Sequence, residues 1–223
     1  MNKRGARPQG KVNIQWSPKF AYAIGLLATD GNLSPDKRHI NFTSKDLKLI
    51  QLFKRCLQLS NMIGRKARER EKVKRYYVLQ FGDVFFYQFL NSIGLFPNKS
   101  KILASIKIPQ KYFFHFLRGH FDGDGTFYSY FDPRWKSSFL LYTVFISASK
   151  KHIDWLRQEL QKRVGIKGHI SKAKTNSAYQ LKYAKRESLK LLPKMYYDSD
   201  TLCLFRKREK IMIALRQIGE TLV

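Results

Sequence analysis

Apolar positions along the chain recur with two periods, and the order in which these periods alternate is itself repeated. Ser17 and Pro18 supply an N-cap and a first-turn proline for a helix running to Asp30. A strand pair follows across the Pro35-Asp36 turn and ends near Thr43. A helix capped by Ser44 then carries Leu47, Ile50, Leu52, Phe53 and Leu57 at near-helical spacing. Two more strands, Ile63 to Arg70 and Tyr76 to Phe81, precede a helix through Phe85, Phe86, Phe89 and Leu90 to Gly94.

The second half returns to this order. A helix from about Gln110 to Asp124 leads to strands Thr126 to Phe131 and Phe139 to Ser147. A helix capped by Ser149 carries Ile153, Trp155, Leu156 and Leu160. Strands Gly168 to Ala173 and Tyr179 to Tyr183 follow, then helices from Glu187 and from about Arg206. When Asp30 is matched with Asp124 and Phe42 with Phe145, the second copy is nine residues longer, an insertion around Asp132 to Ser138. The pattern predicts an α+β protein of two αββαββα units. Residues 1–15 form a loose basic arm, 16–96 and 110–223 the two repeats, and 97–109 their linker.

Several strands show one apolar and one polar face. In Lys37 to Thr43, Ile40 and Phe42 oppose Lys37, His39, Asn41 and Thr43; in Tyr179 to Tyr183, Tyr179, Leu181 and Tyr183 oppose Gln180 and Lys182. Gln80 takes the polar side of Tyr76 to Phe81. Any half-buried antiparallel sheet alternates in this way, so the faces acquire meaning only from charge. The 223 residues hold 43 Lys+Arg against 16 Asp+Glu, a net charge of +27. With 43% hydrophobic and 14% aromatic residues the chain is folded, not disordered. A folded chain this basic reads as a polyanion binder, nucleic acid first. A polar face then suits base edges and phosphates. No apolar run approaches the roughly 20 residues of a membrane span, and the N-terminus lacks the apolar region of a secretory signal. Cys56 and Cys203 have no zinc spacing and read as buried thiols in a reducing, intracellular setting.

The chemistry lies in two endings. Ala23-Ile24-Gly25-Leu26-Leu27-Ala28-Thr29-Asp30-Gly31 and Leu117-Arg118-Gly119-His120-Phe121-Asp122-Gly123-Asp124-Gly125 both pass from a glycine through an apolar stretch to an aspartate and a second glycine. A glycine after an apolar helical run is usually the left-handed residue that stops the helix. Asp30 and Asp124 therefore sit at negative helix ends, where a carboxylate is disfavoured unless a cation joins it. Gly25 with Thr29, and Gly119 with Gly123, place small residues four apart, so that two helices can approach closely. Packing them together brings the two aspartates side by side, which requires a shared proton or bound cations. Asp122 reads as structural or solvent-facing, and His120 as packed. Asp122-Gly123-Asp124-Gly125-Thr126 begins like a calcium loop, but Phe127 replaces its glycine and Pro133 its closing glutamate.

The paired endings and their duplicated surroundings resemble the LAGLIDADG homing endonucleases in which two repeats share one chain. The resemblance implies that each repeat has a four-stranded antiparallel DNA-binding sheet and that the two motif helices pack together. It implies Asp30 and Asp124 as catalytic, metal-binding acids, with Gly31 and Gly125 beside them as further ligands. Mg2+ is the implied ion, with Mn2+ as a substitute. Lys99 and Lys207, in equivalent basic segments after each repeat, are the implied basic residues, and Ser44 and Ser147 the water-orienting ones. The implied DNA-contacting set is Lys37, His39, Asn41, Thr43, Lys66, Arg68, Arg70, Gln80, Tyr128, Tyr130, Lys172, Gln180 and Lys182. A monomer cutting a long, non-palindromic double-stranded target is expected. An intron-RNA-binding maturase and a cleavage-dead DNA binder remain as alternatives on the same fold.

Overall fold

The computed structural model describes residues 10–67, 73–173 and 178–222. The first repeat runs α1 (Pro18–Asp30), β1 (Gly31–Leu33), β2 (His39–Ser44), α2 (Leu47–Cys56), β3 (Ile63–Lys66), β4 (Tyr76–Gly82) and α3 (Val84–Ile93). Two short 3-10 turns, Lys99–Lys101 and Gln110–Tyr112, lead into the second. This comprises α4 (Phe113–Gly123), β5 (Thr126–Phe131), β6 (Phe139–Ser147), α5 (Lys150–Val164), β7 (His169–Lys172), β8 (Tyr179–Tyr183), α6 (Lys185–Met195) and the added α7 (Phe205–Arg216). The strands form two antiparallel sheets, ordered β1-β2-β4-β3 and β5-β6-β8-β7. The orders are the same permutation, so the repeat in sequence is a repeat in topology.

Register supports the alignment. Gly31 pairs with Phe42 in the first sheet. In the second, Thr126 pairs with Val144, which sets Gly125 in line with Phe145. The insertion lengthens the β5–β6 hairpin, whose end is closed by Asp132 N donating to Ser138 O at 2.9 Å. One face of each sheet packs on helices. Ile40, Phe42 and Leu79 are fully buried with Ile50 and Phe53, and the Phe42 and Phe53 rings stack at 4.3 Å. Phe145 and Leu181 occupy the places of Phe42 and Leu79 in a core with Ile153, Leu156 and Leu160, while buried Thr143 takes the place of Ile40. Each such apolar side chain contributes about 1.5–3 kcal/mol by leaving water. Among the described residues no helix is long and apolar enough to cross a membrane.

Local chemistry differs from the sequence reading at several points. Ser17 does cap α1, accepting from Phe20 N at 3.1 Å. Asp46, not Ser44, caps α2, accepting from Lys48 N at 3.0 Å, while Ser44 Oγ accepts from Asp46 N. A serine two residues upstream makes the turn that delivers the cap; Ser147 makes the same turn before α5, but Ser149, at the N-cap position, makes no side-chain cap bond and donates its hydroxyl to Leu103 O at 2.5 Å instead. The basic arm is not loose at its end: Lys11 and Val12 N both donate to Asp83 Oδ2, at 2.6 and 2.9 Å. Lys37 lies in the β1–β2 turn at φ +59°, not on a strand. The third strand ends at Lys66. Gly31 is extended, at φ −80°, and is not left-handed. Its requirement is spatial, since a Cβ there would lie 2.6 Å from Leu27 O. Gly125 is constrained likewise by Phe121 O, at 2.6 Å. Gly31 lets β1 leave the end of α1 directly, and Gly125 lets β5 follow α4 after only two residues.

Candidate active site

The site is built on the contact between α1 and α4, the most extensive between any two helices. Small residues set its depth. A Cβ on Gly25 would overlap Phe116 O and stand 2.7 Å from His120 N. One on Gly119 would overlap Tyr22 O, and one on Gly123 would collide with the Thr29 side chain. Gly25, Thr29, Gly119 and Gly123 therefore meet at a seam where main chain touches main chain. Thr29 satisfies its own hydroxyl on Leu26 O at 2.9 Å and adds no unpaired polar group to the seam.

The seam ends at the two acids. Asp30 is the last residue of α1 and Asp124 follows the last residue of α4. A Cβ on Gly123 would lie 3.3 Å from Asp30 Oδ2, which places the first carboxylate against the end of the opposite helix. Two lysines arrive from outside the motifs. Lys99, almost fully buried on its 3-10 turn, donates from Nζ to Gly31 O. Lys207, from the first turn of α7, donates to Phe121 O and Gly125 O at 2.6 Å and to Asp122 O at 2.9 Å. Each ammonium thus meets the carbonyl of the glycine that follows one acid.

Two negative and two positive groups share one partly dry volume, and each is perturbed by it. Burial, reinforced by the charge of Asp124, raises Asp30 to about 7, against the pull of Lys207 and Lys99. Asp124 is also raised by burial, although its side chain retains contact with solvent, and the same two lysines oppose the shift. Burial lowers Lys99 and Lys207 to about 8, with nearby carboxylates holding them up. Desolvation thus works against all four charges while their mutual attraction preserves them. Such clustering is a mark of functional sites.

Second-repeat motif residues brace the segment that carries Lys207. Arg118 is buried and donates to Leu202 O at 2.7 Å and Met195 O at 2.5 Å. Asp122, one turn further, accepts from Leu204 N and from Tyr22 OH, both at 2.7 Å. Asp122 is only 1% exposed, which removes the solvent-facing alternative. It joins α1, α4 and the residue immediately before α7. His120 is packed against His152, with ring centroids 5.1 Å apart. Tyr22 carries no signal of this role in the sequence, and Arg118 gives only a local one: it and Asp122 are charged residues four apart on a helix rich in apolar residues.

A family model described as a LAGLIDADG-like domain matches residues 17–94 and again 112–194. The chain belongs to the LAGLIDADG family. No curated protein matches its sequence. Its fold is similar to that of the I-LtrWI LAGLIDADG homing endonuclease bound to target DNA, with a TM-score of 0.59 at 12% identity over 90% of this chain and 91% of that one. I-SmaMI bound to uncleaved DNA target in the presence of calcium ions is similar at TM-score 0.60 and 12% identity, with 92% of both chains covered. Full-length DUF199/WhiA from Thermatoga maritima is similar at TM-score 0.54 and 16% identity, over 92% of this chain but 63% of that one. At these identities the likeness is one of fold.

In this LAGLIDADG chain, His39, Asn41, Thr43 and Gln80 lie opposite the core on the first sheet, with Asn41 paired to Gln80. Lys66, opposite Tyr76, shares that side. Tyr128, Tyr130, Gln180 and Lys182 line the corresponding side of the second sheet. Lys172 does not, because its partner is Tyr179, in phase with buried Leu181; His169 and Ser171 are the outward residues of β7. Arg68 and Arg70 lie outside the described residues.

The donor set suits a hard divalent cation. Among the described residues no group of three or more His, Cys, Asp or Glu is assembled, so a protein-only cage is absent. Mg2+ needs none, since it keeps several waters and takes one or two carboxylates together with substrate phosphate oxygens. Asp30, Asp124 and the Gly31 and Gly125 carbonyls offer such a set. Lys99 and Lys207 already donate to those two carbonyls, so a cation bound there would share each oxygen with an ammonium group.

Proposed function

We propose that the protein is a monomeric, site-specific endonuclease that hydrolyses one phosphodiester in each strand of a long, non-palindromic DNA target. The observation that carries this reading is the convergence of Asp30, Asp124, Lys99 and Lys207 at one end of the α1–α4 seam. Asp30 and Asp124 would hold the metal, with the Gly31 and Gly125 carbonyls beside them. When bound, Mg2+ or Mn2+ acidifies water and stabilises the leaving oxygen. Lys99 and Lys207 place positive charge against the scissile phosphates, where it offsets the charge that builds in the transition state. The glycine seam holds the two acids in register, and Asp122 holds the start of α7 and hence Lys207. The outer sheet faces supply base contacts, and the net charge supplies salt-dependent affinity for the backbone. Inequality between the repeats makes the two half-sites unequal.

The test is to incubate a plasmid library carrying randomised inserts with the protein and Mg2+, then sequence the ends of linearised molecules. Recurrent cut sites, with no linear product when Mg2+ is replaced by EDTA, are expected. Absence of cutting alongside tight binding to structured intron RNA would contradict the reading and favour a maturase.

A further inference from the structure

The outer faces of the two sheets differ in chemistry at equivalent positions. The alignment that matches Phe42 with Phe145 matches His39, Asn41 and Thr43 with Tyr142, Val144 and Ile146. Three side chains that hydrogen bond are thus replaced by two aliphatic residues and an aromatic one, of which Tyr142 and Ile146 are partly exposed and Val144 is covered, at 1% exposure. The insertion extends this face, adding Tyr128, Tyr130 and Leu140 along the longer hairpin. We propose that the second sheet selects a thymine-rich half-site through the 5-methyl groups, whereas the first reads its half-site by hydrogen bonds. This rests on the site-specific DNA reading given above.

The tyrosines form a ladder. Tyr128 and Tyr142 stack at 5.1 Å and 28°, Tyr130 and Tyr142 at 6.2 Å and 20°. Ring faces are therefore turned towards neighbouring rings, so that on β5 and β6 ring edges and the aliphatic Leu140 and Ile146 meet a ligand, flanked on β8 by Gln180 and Lys182. Base stacking, the usual task of aromatics on a single-stranded nucleic acid, needs free ring faces. The thymine methyl is the apolar group that a base edge presents in the major groove of a DNA duplex. Against any other base edge, an apolar surface leaves a desolvated donor or acceptor without a partner. Lys182 Nζ sits 5.6 Å above Tyr128 and 5.4 Å above Tyr142, so positive charge accompanies the apolar strip.

Binding selection with the intact protein, without divalent cation, tests this on a randomised duplex library. The expected product is a two-part consensus with one thymine-rich half. Selected duplexes are then resynthesised with deoxyuridine for thymidine in one half at a time. Affinity should fall about fourfold per contacted methyl, the value of burying one methylene-sized group, in the thymine-rich half only. The double variant Tyr142→Gln, Ile146→Gln should lose that discrimination while keeping the consensus of the other half, which also shows that the variant is folded. Equal affinity for thymidine and deoxyuridine in both halves overturns this inference alone. Methyl dependence unchanged in the double variant also overturns it. A selection that yields no consensus removes the site-specific reading and this inference with it.

Discussion

One added methyl group probes the α1–α4 seam most sharply. Gly119→Ala would put a Cβ onto Tyr22 O, 2.9 Å from Tyr22 C and 3.2 Å from Gly25 Cα. In an open helix the change would be favourable by about 1 kcal/mol, because glycine is the poorer helix former. Overpacking costs about 1–3 kcal/mol where side chains can adjust. Here the three nearest atoms are all main chain, so no rotamer relieves the overlap and the cost lies at or above about 3 kcal/mol. Sterics win, with a net loss of about 2 kcal/mol. For a chain of this size that lowers Tm by roughly 4–8 °C. The strain relaxes by moving α1 away from α4, which separates Asp30 from Asp124. A misplacement of about 1 Å costs on the order of 100-fold in rate, so cleavage should fall even at temperatures where the variant is fully folded. Thermal unfolding followed by circular dichroism, paired with single-turnover cleavage at 20 °C below the variant's Tm (roughly, to keep it native), measures both effects. A Tm equal to or above that of the unmodified protein would refute the packing argument.

Further expectations concern individual side chains. The raised pKa of Asp30, about 7, means that between about 4 and 7 the native state keeps a proton that the unfolded chain has lost, so its contribution to stability declines as pH rises through that window. Asp30→Asn should therefore raise Tm at pH 8, with the gain shrinking to nothing near pH 4 and narrowed by added Mg2+; equal Tm values at pH 8 would contradict this. His120 and His152 have the opposite sign: burial depresses both, His152 to about 4, so stability is lost as pH falls from about 6.5 towards 4. His120→Phe should flatten that acid loss in urea titrations at pH 7 and pH 5, and an unchanged pH dependence would show that the pair does not titrate on unfolding. Lys207→Met leaves carbonyls at the end of α4 without a donor and should convert double-strand cutting into nicking of a supercoiled plasmid. Lys99→Met should do the same at the other strand; an equal loss of nicking and linearisation would argue against one lysine per strand.

Much of the architecture was legible because local rules and global fold agree. Ser17 and Pro18 fixed the start of α1, and the duplicated spacing of Gly25 to Asp30 and Gly119 to Asp124 located the seam before any contact was known. The parallel placement of Lys99 and Lys207 was visible as basic residues following equivalent helices. What the sequence hid depends on partners distant along the chain. Asp122 finds Tyr22 and Leu204, 100 and 82 residues away, and without them a charged residue on an apolar helix has no assigned direction. The β6 faces were unreadable because Tyr142, Val144 and Ile146 make its outer side as apolar as its inner one. In β7 the phase was lost because Lys172, at an exposed strand end, lies on the core side without being buried. Gly31 and Gly125 were read by the commonest reason for a glycine at a helix end, whereas the requirement here is room for the backbone.

The central claim is that Asp30 and Asp124 form one shared pair of cleavage centres. It is tested most directly by Asp30→Asn and Asp124→Asn, assayed in parallel for cleavage and for binding on a plasmid carrying the selected target. Each variant should lose double-strand cutting in Mg2+ while binding the target as tightly as the unmodified protein. Unchanged double-strand cutting by either variant would contradict the assignment.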